Sequence, residues 1–253
     1  MTSDPVFWLA VTVAVISLGL SKGGFAGVGQ IATPLLAMFM PPLEAAAILL
    51  PIMMLQDAMA VWVYRKDWDA LNLKVMLPGA IVGIGVAWVL AAHLSEPMVR
   101  IAVGAISIVF VLYAWFAKPK IATDVTPPST VFGVFWGALS GFTSTIGQAG
   151  GPPYQVHVLP QRLHKMTYVG TTAIFFAIVN ALKVVPYFAL GQFSTHGLVI
   201  SLALVPLAIA ANVLCFWVVR RTPAELFYRI AYVLVFLISL ELVRSGTMAL
   251  MRG

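Results

Sequence analysis

Charge is scarce in this 253-residue chain: 9% of residues are charged and 61% are hydrophobic. Soluble domains carry about 25% charged residues, so a mean hydropathy of +0.97 excludes that class and leaves a polytopic membrane protein. Cysteine is almost absent. The single Cys215, inside an apolar run, excludes a disulfide framework and any cysteine-based metal cluster. Four histidines occur without an H-E-x-x-H pattern, so neither a metal nor a cofactor is expected. The opening M-T-S-D-P has no basic n-region and predicts no secretory leader. Acidic residues number 9 against 15 Lys and Arg, a balance of +6. The cations fall mostly between apolar runs, so the excess reads as membrane topology and not as a nucleic-acid partner.

What is abundant is apolar sequence in runs. These cover 6–20, 28–40, 45–63, 75–92, 101–117, 131–146, 154–159, 168–190, 198–219 and 230–243. Most come close to the roughly 17 to 25 residues that a crossing helix needs. The stretch 118–129, with three prolines and several charged residues, is the candidate linker between an N-terminal half, 1–117, and a C-terminal half, 130–253.

Two places interrupt the pattern. Gly141 to Pro153 reads G-F-T-S-T-I-G-Q-A-G-G-P-P, too rich in glycine and proline for an ordinary spanning helix. Irregular backbone at membrane depth survives only wrapped in protein or lining a cavity. A weaker twin precedes it by 118 residues, pairing Gly23 with Gly141, Gly29 with Gly147, Gln30 with Gln148 and Pro34 with Pro152. Arg100-Ile101-Ala102 likewise matches Arg229-Ile230-Ala231 at an offset of 129. Two anchors at the same relative places predict a duplication, and paired broken segments point to a transporter's binding site.

Cation placement orients the chain. If each half opens with a hairpin returning to its own side and continues through three spans, ten cations are cytoplasmic, three are outside (Arg100, Arg244, Arg252) and Lys22 and Lys183 lie at depth. Straight spans instead of hairpins would put the cation-free loop 191–196 in the cytoplasm. The expected fold is therefore all-α: two inverted repeats, each a broken-helix hairpin plus three spanning helices, with eight to ten membrane segments.

The chemistry rests on a few deep polar residues. Intramembrane cations face a cavity or a partner, so Lys22 and Lys183 are candidate anion ligands. The alternatives are snorkelling for Lys22 and pairing with Asp57 or Glu241 for Lys183. Breaks at Gly23-Gly24 and at Gly147 to Pro153 would expose half-helix N-termini, which bind anions through free N–H groups. Gly29, Gly150 and Gly151 would line such a site, and Gln30, Ser144, Thr145 and Gln148 add neutral donors. Close helix packing is the other explanation of these small residues. Asp57 is the deepest carboxylate and the proton-coupling candidate. An intramembrane enzyme would need a dyad such as Ser144 with His157, and the short loops disfavour a scaffold.

The paired motifs G-L-S-K-G-G-F-A-G-V-G-Q and G-F-T-S-T-I-G-Q-A-G-G-P-P, on a chain of this length, resemble the TauE/SafE-type sulfite exporter family. The likeness spans essentially the whole chain, with a departure at Phe25-Ala26-Gly27, where many members are richer in glycine. It implies a multi-pass transporter of the bacterial inner membrane, not an enzyme, exporting sulfite or a small organosulfonate such as sulfoacetate with proton coupling. A permease for another small anion, such as a carboxylate, is the alternative within the same class. The partners implied are the anion, protons and the lipid bilayer.

Overall fold

The computed structural model describes residues 5–23, 29, 32–37, 39–40, 42–90, 95–116, 129–189, 191 and 193–252. Gly24, Gln30 and nearly all of the linker 118–129 lie outside them. Eleven α-helices are described: α1 (Pro5–Ser21), α2 (Ala32–Ala37), α3 (Pro42–Tyr64), α4 (Ala70–Leu90), α5 (Glu96–Phe116), α6 (Thr130–Gly147), α7 (Gly151–Val158), α8 (Lys165–Ala189), α9 (Thr195–Ala203), α10 (Val205–Arg221) and α11 (Ala224–Arg252). A 3₁₀ turn, Leu159–Gln161, follows α7. In hydrocarbon a helix meets its backbone hydrogen bonds within one segment, which is why long Ala, Leu, Val and Ile runs adopt it.

Among the described residues, Ala45–Tyr64, Ala70–Leu90 and Lys165–Ala189 are long and apolar enough to cross a membrane. The run expected as one span over 198–219 forms two helices, α9 and α10, that are long and apolar enough to cross when taken together and are bent by 47°. Pro206 stands in the first turn of α10. It has no N–H to donate and its ring clashes with the carbonyl four residues back, which favours a kink or break at this point.

The chain packs as two units, and each takes helices from both halves of the sequence. One comprises Met1–Trp68 and Val169–Pro223, the other Asp69–Tyr168 and Ala224–Gly253.

In the first unit α1 and α2 form a hairpin. Phe7, near the start of α1, meets Phe39 just beyond α2 edge-to-face at 5.7 Å. The apolar core there joins Phe7, Val11, Leu18, Leu36, Ile48, Ile52, Ile200 and Ala208. α1 runs parallel to α10: an added Cβ on Gly19 would lie 2.7 Å from Ala211 Cβ, and one on Gly23 would lie 2.5 Å from Cys215 Sγ. α3 and α8 are antiparallel. Tyr187 packs with Ala46, Ala47 and Leu50, Asn180 bonds Asp57, and Gly170 lies against the carbonyls of Tyr64 and Asp67.

In the second unit α4 and α6 lie parallel at backbone distance. Gly79 and Gly83 face the carbonyls of Val134 and Ala138, while Gly137 and Gly141 face those of Met76 and Ala80. α5 and α11 are antiparallel, with Gly104 against Ser239 and Gly246 against Pro97 and Ile101. α7 folds back along α6. Ser140 near the end of α6 bonds Gly150, whereas His157 at the other end of α7 lies by Gly133.

Close approach makes the α4 glycines a test of this packing. Gly83→Ala should cost about 1 to 3 kcal/mol by overpacking, because its Cβ would meet the Ala138 carbonyl. Gly85 on the same helix has nothing within 4 Å of its added Cβ, so Gly85→Ala should leave the melting temperature unchanged or slightly higher. Equal thermal unfolding of the two variants in detergent would contradict the α4–α6 contact.

Candidate functional site

The first unit gathers charge in its core. Small residues at 19 and 23 let the end of α1 settle on α10, where the Cys215 thiol donates to the Leu20 carbonyl at 3.3 Å. The turn after α1 is closed by the Lys22 and Gly23 N–H groups on the Gly19 and Leu20 carbonyls, at 3.1 and 3.2 Å. This aims Lys22 inward. Its Nζ lies 2.6 Å from Asp57 Oδ1, in an ion pair buried on both sides. Asn180 Nδ2 donates to the other oxygen, Oδ2, at 2.6 Å. Lys183, three residues beyond Asn180 on α8, is 0% exposed. It lies within the electrostatic reach of both Lys22 and Asp57.

Amides complete the cluster. Gln56 Nε2 donates to the Val15 and Ala208 carbonyls at 3.3 and 3.4 Å, and Asn212 Nδ2 donates to the Gln56 carbonyl at 2.9 Å. Gln56 Oε1, Asn180 Oδ1 and Asn212 Oδ1 are buried acceptors with no hydrogen-bond partner. Such atoms are costly to bury unsatisfied, so a donor group or water is accommodated there at less cost than an apolar group. Among the described residues, the buried ionisable Lys and Asp side chains of this unit are two lysines and one carboxylate.

Snorkelling is therefore not what Lys22 does: it is 6% exposed and paired. Nor is Glu241 a partner for a deep lysine, because it pairs with Arg244 at 2.7 Å on an exposed face of α11.

The second unit holds the glycine-proline motif, and its break is shorter than the expected Gly147 to Pro153. α6 continues through Gly141, Ser144 and Thr145 to Gly147, and only Gln148 to Gly150 is irregular before α7 opens with Gly151, Pro152 and Pro153. The prolines occupy the first turn of α7, where a missing N–H costs nothing. Gln148 ends α6 in the left-handed region at φ 53°, and the Ala149 N–H closes on the Thr143 carbonyl at 3.0 Å. Two hydroxyls secure the break: Ser140 Oγ donates to Gly150 O at 2.7 Å, and Thr143 Oγ1 contacts the Leu139 and Ala149 carbonyls at 2.8 and 3.0 Å. The Thr145 hydroxyl donates to the Gly141 carbonyl at 2.8 Å, inside its own helix.

A Ser144–His157 dyad is not formed. His157 Nε2 has no hydrogen-bond partner and lies beside Gly133, eleven residues before Ser144 on α6, or about 16 Å along a helix.

The family model for Sulfite exporter TauE/SafE matches residues 11–242. The chain belongs to the TauE/SafE family. No curated protein and no solved structure matches it significantly. The family is one of membrane transporters of sulfur anions, and the apolar helices agree with that class. In this TauE/SafE chain, Lys22, Gly23, Asp57 and Lys183 come together in one unit, and Gly29 sits at the hairpin tip by Ser21. Ser144, Thr145, Gly147, Gln148, Gly150 and Gly151 belong to the other unit. Asn212, Ser140 and Thr143 were missed in the sequence. Their signal was a polar residue inside an apolar run, which Asn212 shares with Asp57 and Asn180.

Proposed function

We propose that the protein is a secondary transporter that exports sulfite or a small organosulfonate such as sulfoacetate across the bacterial inner membrane, coupled to protons, by alternating access. The observation that carries this is the buried Lys22–Asp57 ion pair in the same unit as a second fully buried lysine, Lys183, beside a broken hairpin. An oxyanion is held by Lys22 and Lys183. Protonation of Asp57 frees Lys22 for the anion, and deprotonation returns it to the carboxylate, which links the two occupancies. Anion binding is assigned to this cluster because the Thr145 hydroxyl is engaged within α6 and the break at 148–150 is closed by Ser140 and Thr143.

Several directions of packing support two inverted repeats as the frame for alternating access. Counting elements, α1 to α5 correspond to α6, α7, α8, the bent α9–α10 pair and α11. Inverted mates run in opposite directions, and α3 with α8 and α5 with α11 are antiparallel. The duplication exchanges α1 on α10 for α6 on α4, and both pairs are parallel with glycines at the contact. At an offset of 123, Asp57 corresponds to Asn180 and Tyr64 to Tyr187. Asp57 and Asn180 are bonded to each other, as two mates on a pseudo-two-fold axis would be. The charges break this symmetry: at offsets of 118 and 123, Ser140 stands opposite Lys22 and Ala60 opposite Lys183.

Flux into proteoliposomes tests the function. Sulfite and sulfoacetate should move in response to an imposed pH gradient, faster than taurine or a small carboxylate. No flux of any anion, or preference for the carboxylate, would overturn the substrate assignment.

A further inference from the structure

Beyond transport, the outer face of the first unit carries a groove of about 400 Å³ lined by Val63, Val213, Phe216, Trp217, Arg220 and Arg221. We infer that this groove binds an anionic phospholipid, its acyl chain along the valines and aromatics and its phosphate on the arginines.

The sequence builds the site at the ends of two parallel helices. Gln56 sits by Ala208 and Asn212, and Tyr64 meets Phe216 edge-to-face at 5.6 Å, so α3 and α10 finish side by side. Both finish in basic pairs, Arg65-Lys66 and Arg220-Arg221. The groove wall has two guanidiniums and no carboxylate.

Each helix end also presents a tryptophan at the surface. Trp62 is 69% and Trp217 52% exposed. Arg65 lies 4.3 Å over the Trp62 ring and Arg221 4.2 Å over that of Trp217. Tryptophan and arginine together mark the headgroup level of a bilayer, ring toward hydrocarbon and charge toward phosphate. Stacking holds the Arg221 guanidinium plane while leaving its N–H edge for a bidentate phosphate contact, whereas Arg65 Nη1 donates to the Trp62 carbonyl. Below that level Val213 and Leu214 are exposed, as expected of a wall facing acyl chains. The buried Tyr64 hydroxyl has no partner and lies within electrostatic reach of Arg220. In the topology proposed above these ends are cytoplasmic, the leaflet where anionic lipids concentrate.

The test uses the purified full chain, with native mass spectrometry reading retention of phosphatidylglycerol against phosphatidylcholine. Each basic side chain at a lipid surface is worth about fivefold in affinity, so Arg220→Gln with Arg221→Gln should reduce phosphatidylglycerol retention about thirtyfold. Val213→Trp fills the groove without changing charge and should also reduce retention. Lys74→Gln, at an exposed position outside the groove, should not. Equal retention of the two lipids, a Lys74→Gln loss as large as that of the arginine pair, or displacement by inorganic phosphate would overturn the assignment. The last outcome would mark a site for free phosphate.

Discussion

Lys183→Met will leave the protein folded and remove most of its anion affinity. The side chain is fully buried on α8, and Lys22 already holds Asp57 at 2.6 Å. Lys183 is thus the second buried lysine of the unit, on a helix other than the one Lys22 follows. Methionine keeps most of the stem and loses the ammonium. The Lys22–Asp57 ion pair is left in place, so the variant should still unfold cooperatively in a thermal melt. A hydrogen bond to a charged group contributes about 1.5 to 3 kcal/mol, so the dissociation constant for sulfite should rise on the order of tenfold to more than a hundredfold. Lys183→Arg should restore part of this, since it keeps charge but offers a planar fork in place of a point charge. Titration calorimetry with sulfite reads the constant directly. Unchanged affinity in a well-folded Lys183→Met protein would remove this lysine from the site.

Asp57→Asn should have the opposite signature, a large loss of stability. It strands two buried lysines without a carboxylate, and breaking a buried pair by removing one partner costs about 3 to 5 kcal/mol. Removing Lys22 as well, in Lys22→Met with Asp57→Asn, should recover much of that loss. The exchange Asp57→Asn with Asn180→Asp is more discriminating. It moves the carboxylate across one 2.6 Å hydrogen bond and onto the helix that carries Lys183. Stability should return in the exchanged protein if the two positions are mates at a common crossing point. Thermal unfolding that is as poor in the exchange as in Asp57→Asn alone would refute this.

The two halves of the problem were legible to different degrees. Runs, breaks and deep charges can be read from the linear chain, because apolar length and a charge that interrupts it are visible before any partner is known. Lys22, Asp57 and Lys183 could be singled out on that ground alone. The return to helix at Gly151 within the Gly141 to Pro153 motif, and what its first glycine does, could not. Gly141 serves close packing, against the Ala80 carbonyl, and a glycine needed for contact looks the same in sequence as one needed for a turn. His157 was likewise visible but not its neighbour, since which face of α7 meets Gly133 depends on how the hairpin closes.

By itself the sequence determined the membrane class, the family, the two interrupted hairpins and the small set of buried ionisable groups. Tertiary structure decided how those groups divide. Lys22 and Asp57 stand 35 residues apart, and they meet because Gly19 and Gly23 let α1 seat on α10 while α8 crosses α3 at Asn180. A carboxylate surrounded by two lysines bonds whichever one the backbone brings within reach. That distance is set by helix packing, which no local pattern of residues encodes.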